Sequence, residues 1–485
     1  MNKSPATAAC FLAAVALALL AAGCTTVGPD YRAPSSAELG VPAAWPGTSP
    51  ARAPAQDDLA AWWQRLGDPT LTTLVTRALA GNRDLASATS RLREARARRD
   101  LAVANGFPTL RGSASVNRTD AGSQHGGGST TSYDAGFDAS WEPDLFGGQR
   151  RGVEAAQADV AAAADDLGAA HVSLAAEVAR NYLDVRSLQA RLAIARASLD
   201  TQSQTLQLTQ WRAQAGLTTS LDVEQATAAV EQTRAQIPAL ETALANARNR
   251  IAVLAGVAPG TFDALLVAPE PLPALPASIA IGIPADTLRQ RPDLRAAERR
   301  LAAETARIGQ QTAALYPSLG LAGTLGLQSL TFAGLTQGGA TVSQLAASLA
   351  ATIFDAGRVR SQIDIQTAVQ ERALAQYQGA VLAALEDVEN ALVALDNAER
   401  RRVSLATAVA AARNAALLAE QRYTAGITDF QTVLDTQRTL LAVQETLAMT
   451  EDDRMQALVQ LYKALGGGWT PEATNHAAQA AAPKA

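Results

Sequence analysis

From about Thr70 to Val103, apolar side chains recur every three to four residues, the period of a helix buried along one face. Past Pro108 the period falls to two. Tyr133, Ala135, Phe137, Ala139 and Trp141 alternate with Asp134, Gly136, Asp138, Ser140 and Glu142. Past Pro317, Leu319, Leu321, Gly323, Leu325 and Leu327 alternate with Ser318, Gly320, Ala322, Thr324, Gly326 and Gln328. Weaker alternation covers Leu110 to Val116 and Leu345 to Ile353. Each stretch is about ten residues, the length of a tilted strand that crosses a membrane, although a two-sided soluble sheet carries the same alternation. The Gly- and Ser-rich run from Gly122 to Ser132 suits an exposed hairpin loop.

A long helical pattern follows each strand pair. Arg150 to Arg212 contains no proline, and its apolar seams step by seven through Val178, Val185, Leu192, Leu199 and Leu206, and through Val160, Leu167, Leu174 and Leu188, with one step skipped at Asn181. Leu374, Val381, Val388 and Leu395 do the same further on, beside Ala384, Ala391, Ala398, Leu405 and Ala412. A sustained heptad predicts helices packed nearly parallel in a left-handed supercoil. A helix of roughly 63 residues reaches about 95 Å. Gly216 and Gly426 are placed to close these helices in the left-handed conformation. Thr219 with Asp222, and Thr428 with Gln431, have the spacing that starts a return helix, expected over Val223–Leu254 and Thr432–Leu465. Pro238 predicts a kink in the first return helix that the second lacks.

The pattern occurs twice, about 209 residues apart. Asn82-Arg-Asp-Leu85 returns as Arg291-Pro-Asp-Leu294, and Phe107-Pro108 as Tyr316-Pro317. Phe146 with Arg150 returns as Phe354 with Arg358, and Ala215-Gly-Leu-Thr218 as Ala425-Gly-Ile-Thr428. Solenoid periods are roughly 20–50 residues, so this is a duplicated half-molecule, with the halves expected in equivalent places of a ring. The predicted organisation is a signal peptide (1–23), a Pro-, Ala- and Ser-rich N-terminal tether (24–61), a first repeat (62–257), a proline-rich connector (258–290), a second repeat (291–468) and a disordered tail (469–485).

Composition adds bounds. Aromatics are only 4% of the 485 residues, which suits close-packed Ala-rich helices. A net charge of −5 argues against a nucleic-acid partner, whose phosphates need a basic face. Lys3 and the apolar run Ala8–Leu20 read as a secretory signal, being shorter than the ~20 residues of a membrane-spanning helix. The small residues Ala21, Ala22 and Gly23 precede Cys24, as at a lipoprotein cleavage site, which makes Cys24 the lipidation candidate and outer-membrane lipid a partner. Thr25 rather than Asp follows it, favouring outer-membrane sorting. Cys10 lies in the signal, so no disulfide can form within the mature chain.

Enzyme chemistry finds no support. His125, His171 and His476 are scattered among a loop, a helix seam and the tail, so their spacing makes no metal or cofactor cluster. Gly126-Gly-Gly-Ser-Thr130 lacks the Lys of a phosphate loop.

The ordered motifs Cys24-Thr-Thr-Val-Gly-Pro-Asp-Tyr31, Trp62-Trp63 with Gly67-Asp-Pro69, Trp141-Glu-Pro-Asp-Leu-Phe-Gly147, Gln236-Ile-Pro-Ala-Leu240, Arg291-Pro-Asp-Leu294 and Arg422-Tyr-Thr-Ala-Gly-Ile427 resemble the TolC/OprM family of outer-membrane efflux proteins. The resemblance is to its lipidated, NodT-like members, and it covers the mature chain to about Gly468. It implies a mainly α protein with membrane β: a homotrimer whose four strands per protomer close a twelve-stranded outer-membrane β-barrel, continuous with a periplasmic α-helical coiled-coil barrel. The implied partners are a periplasmic adaptor (membrane fusion) protein and an inner-membrane RND transporter. The adaptor-contact turns fall on Gly216, Leu217 and Thr218, and on Gly426, Ile427 and Thr428. The periplasmic gate falls on Asp435, with Asp429 and Tyr423 close in sequence. Some relatives carry a basic residue where this chain has Thr424. Gln225 stands where the second half has Asp435, so an acidic ring belongs to the second turn alone. Two alternatives remain: the outer-membrane component of a type I protein-secretion system, and a lipid-tethered periplasmic coiled-coil scaffold.

Overall fold

The computed structural model describes residues 26–43, 45, 59–121, 128–276 and 284–470. The signal segment, Cys24, His125 and the chain from residue 471 lie outside them.

Helix α1 (Pro69–Gly81) and helix α2 (Arg83–Ala104) lead to strands β1 (Thr109–Ala121) and β2 (Gly128–Trp141). Helices α3 (Gly148–Gln214) and α4 (Ser220–Leu254) follow, then the short α5 (Asp263–Leu266) and α6 (Pro284–Gln290). The second half runs α7 (Pro292–Ala313), β3 (Ser318–Ser329), β4 (Thr341–Ala350), α8 (Arg358–Thr424) and α9 (Phe430–Ala464). The long helices match in length between the halves: α2 and α7 each have 22 residues, α3 and α8 each 67, α4 and α9 each 35.

The helix expected over Thr70–Val103 is two helices, interrupted at Asn82. The Asn82 carboxamide accepts from Leu85 N at 2.9 Å, capping α2, and donates to Leu254 O at the end of α4 at 2.8 Å. Arg291 does the same work in the second half, donating to Ala464 O at the end of α9 at 3.1 Å while pairing with Asp293 and Asp387. Each half thus ties the start of its connector-side helix to the last turn of its return helix.

The return helices begin differently. Thr219 and Asp222 form the expected reciprocal cap of α4. Thr428 does not cap α9; Asp429 does, accepting from Thr432 N at 2.9 Å, so the helix starts at Phe430. Asp is as good an N-cap as Ser or Thr, and the one-residue shift places Gln431 inside the first turn. Helix α4 runs through Pro238 without a break.

The compact units are not the two repeats. One comprises Arg91–Ala163 and Ala296–Gln378 with the N-terminal stretch to Pro34; the other comprises Ser35–Ser90, Ala164–Arg295 and the chain from Gly379. Each draws on both halves of the sequence.

In the first unit the strands form one antiparallel sheet in the order β1-β2-β3-β4, with β2 pairing β3 across the repeat boundary. The N-terminal stretch is docked here rather than free. Val27 N donates to Phe146 O at 3.1 Å, and buried Arg151 donates to Val27 O and Gly28 O and pairs with Asp30 at 2.7 Å. Tyr31 donates to Glu298 at 3.2 Å. Gly28 packs against Gly309, where an added Cβ would come within 2.3 Å of its Cα.

In the second unit the seam residues Val178, Val185, Val381, Val388, Ala384 and Ala391 are buried. The motif tryptophan Trp62 is fully buried and stacks on Tyr462 at 5.0 Å. Asp68 caps α1 through Leu71 N and accepts from Tyr182 Oη. Packing continues to Trp469, one residue into the segment assigned to the tail: it is 5% exposed, with the Arg295 guanidinium 5.2 Å from its ring.

Candidate functional site

Register decides what the sheet can do. Leu110, Ala139, Gly323 and Leu345 are aligned across the four strands, as are Gly112, Phe137, Leu325 and Ser343. Side chains alternate along a strand, so Leu110, Val116, Tyr133, Phe137, Trp141, Leu321, Leu325, Leu327, Leu345 and Leu349 share one face. Arg111, Ser113, Asp134, Asp138, Thr324 and Gln344 share the other. The apolar face is uncovered: Phe137 is 58% exposed, Leu325 59% and Leu345 89%. Among the described residues, strands β1 and β4 each have an unpaired edge. A sheet with one bare apolar face, one polar face and two open edges is the wall of a membrane barrel before closure. Among the described residues no helix is long and apolar enough to cross a membrane.

At the other functional element, the two helical hairpins turn at matched glycines. Gly216 has φ 71° and Gly426 φ 73°, the left-handed region that a side chain would strain. Leu217 N reaches back to Arg212 O, and Ile427 N to Arg422 O, both at 2.8 Å, closing the helices with six-residue hydrogen-bonded loops. Leu217 and Ile427 are 68% and 72% exposed, and Leu221 is exposed beside them. Thr218 is half-buried and donates to Asp222 at 2.5 Å, while Thr428 is half-buried.

The three gate candidates occupy different settings. Tyr423 is buried in a cluster with Ala226, Ala229, Ala419, Phe430, Val433 and Leu434. Arg212 lies 4.5 Å from its ring and donates to its carbonyl at 2.6 Å. Tyr423 therefore locks α3 to the α8–α9 turn. Asp429 is the exposed N-cap, its carboxyl held below the usual range by hydrogen bonds from Thr432, against repulsion from Asp222. Asp435 is exposed and accepts from Gln431 Nε2 at 3.0 Å. Sequence reading grouped these residues by proximity along the chain; the structure separates a core aromatic, a cap and one carboxylate open to solvent. It missed Arg212, which nothing but its nearness to the turn could have signalled.

Among the described residues no group of His, Cys, Asp and Glu is arranged to hold a metal ion. Burial pushes the His171 imidazole down, toward the neutral form.

An amphipathic open sheet and paired long helical hairpins in one chain define a class: outer-membrane ducts assembled from several copies. Comparison with known proteins agrees. The family model described as outer membrane efflux protein matches residues 74–257 and 283–467, and this chain belongs to that family. It is 34% identical to the pyoverdine export outer membrane protein OpmQ of Pseudomonas aeruginosa, covering 90% of this chain and 93% of that protein. The structure of the outer-membrane channel OprN superposes with a TM-score of 0.83 at 38% identity, over 92% of this chain and 99% of that one. The open state of the Neisseria gonorrhoeae MtrE outer membrane channel does so at 0.79 and 30% identity, over 91% and 98%.

Proposed function

We propose that three copies of this chain form the passive exit duct of a tripartite efflux pump, releasing small molecules across the outer membrane. The observation that carries this reading is the register: it brings every strong apolar position of the four strands except Val342 onto one bare face and leaves both edges open. Closure by neighbouring copies satisfies those edges, which lipid cannot. Three copies supply the twelve strands of a closed barrel. Helix α8 supports contact between copies, because Leu382, Val403 and Leu417 are exposed and spaced by multiples of seven.

Lipidation at Cys24 fits the docking of residues 27–31 beside Phe146, which closely follows the end of β2. The exposed apolar turns at Leu217 and Ile427 suit the helical tips of a periplasmic adaptor, with an RND transporter beyond it supplying the energy. Around a threefold axis Asp435 forms an acidic ring that narrows the resting tip, while Tyr423 and Asp429 set the position of the helix that carries it.

The test is conductance of the purified assembly in planar bilayers. Wild type gives a small resting conductance, and Asp435→Ala raises it several-fold. Absence of conductance in every variant would remove the duct. Unchanged conductance in Asp435→Ala alone would remove Asp435 from the gate.

A further inference from the structure

Within the sheet-bearing unit, the facing segments of α2, α3, α7 and α8 enclose a groove of about 480 Å³. Most of its lining side chains are charged, interspersed with Ala95, Ala156, Val369 and Ala373. Arg91 and Arg98 come from α2, Arg300 and Arg307 from α7, and Arg372 from α8. Against them stand Glu94, Asp159 and Glu304. Five guanidinium groups facing three carboxylates leave two net positive charges per groove, on a chain whose net charge is −5.

The carboxylates are engaged locally. Glu94 pairs with Arg98 at 2.6 Å, Asp159 with Arg307 at 2.5 Å, and Glu304 with Arg307 at 2.6 Å. Glu304 also accepts from Gln366 of α8 at 2.6 Å. Arg91 and Arg372 are exposed and make no ion pair among the described residues. The spacing is helical: positions 91, 94 and 98 on α2 and positions 300, 304 and 307 on α7 each lie on one face. The groove draws lining residues from all four helices that flank the strands.

We propose that this groove is an anion-binding station on the bore of the duct, and that the compounds carried include small multivalent oxyanions bearing carboxylate, phosphate or sulfonate groups. The inference rests on the proposed trimer and takes the groove to face its lumen. Guanidinium groups bind such oxyanions through paired N–H donors. A channel lined by one sign of charge concentrates the opposite ion within it. The interspersed carboxylates keep the hold weak enough for release, as conduction requires.

The probe is inorganic pyrophosphate, titrated calorimetrically into the detergent-solubilised assembly, with reversal potentials in a KCl gradient as a second measurement. Wild type binds pyrophosphate with an affinity that falls as salt rises, and its reversal potential lies nearer the anion-selective side than that of a variant whose groove charge is reversed. Arg91→Glu with Arg372→Glu reverses the local charge at two unpaired, exposed positions; it weakens binding about tenfold or more and moves the reversal potential toward cation preference. Arg91→Lys with Arg372→Lys retains most of both. Absence of pyrophosphate binding by wild type, or unchanged binding and reversal potential in the double Glu variant, overturns the station while leaving a conducting duct intact. Loss of the duct itself is read separately, as an assembly with no conductance at all.

Discussion

Single residues here carry more than one duty. Asn82 and Arg291 share no chemistry, yet each donates to the last carbonyl region of the return helix in its own half. Sequence showed that the two positions correspond; it could not show why, because the acceptors lie 172 and 173 residues away. Asp452 is the clearest titrating group. Burial, with Asp184 adding repulsion, pushes its carboxyl up to about 7 from 3.8. The folded chain keeps a proton there that the unfolded chain releases from about pH 4 upward. Stability therefore falls as pH rises between about 4 and 7 and then levels off. Asp452→Asn removes that penalty while keeping an amide near Gln456. Its thermal midpoint in detergent is expected to exceed wild type by a few degrees at pH 8 and to match it near pH 4. A lower midpoint at pH 8 would show that the carboxylate gains more from its neighbours than it loses to burial.

At the scale of elements, the duplicated pattern was legible because helix and strand periods are local. The heptads of α3 and α8 and the alternation of β2 and β3 all appear as helices and strands near their expected bounds. Two misses are local too, and each has a competing side chain. Asn82 breaks one helix into two, and Asp429 outcompetes Thr428 for the cap. Asp429→Ala is expected to cost about 1 kcal/mol at the start of α9, seen as faster hydrogen exchange over Phe430–Leu434. Thr428→Ala leaves that exchange unchanged. Equal effects of the two substitutions would show that the cap is shared.

For the whole molecule, the sheet cannot be complete in one chain. Four strands with a bare apolar face and two free edges need partners in lipid. Mass measurement of the detergent-solubilised protein is expected to return three chains, and a stable monomer with the same sheet would end the barrel reading. The amino-acid order by itself determined the two copies, their element types, the turns at Gly216 and Gly426 and the alternation of the strands, since each depends on neighbours within a turn or a pleat. Tertiary structure decided the rest. It joined the two copies through β2 and β3, drew each compact unit from both, buried Tyr423 while exposing Asp435, and assembled the arginine groove from helices far apart in sequence. These outcomes depend on which long-range surfaces meet, and no local period encodes that meeting.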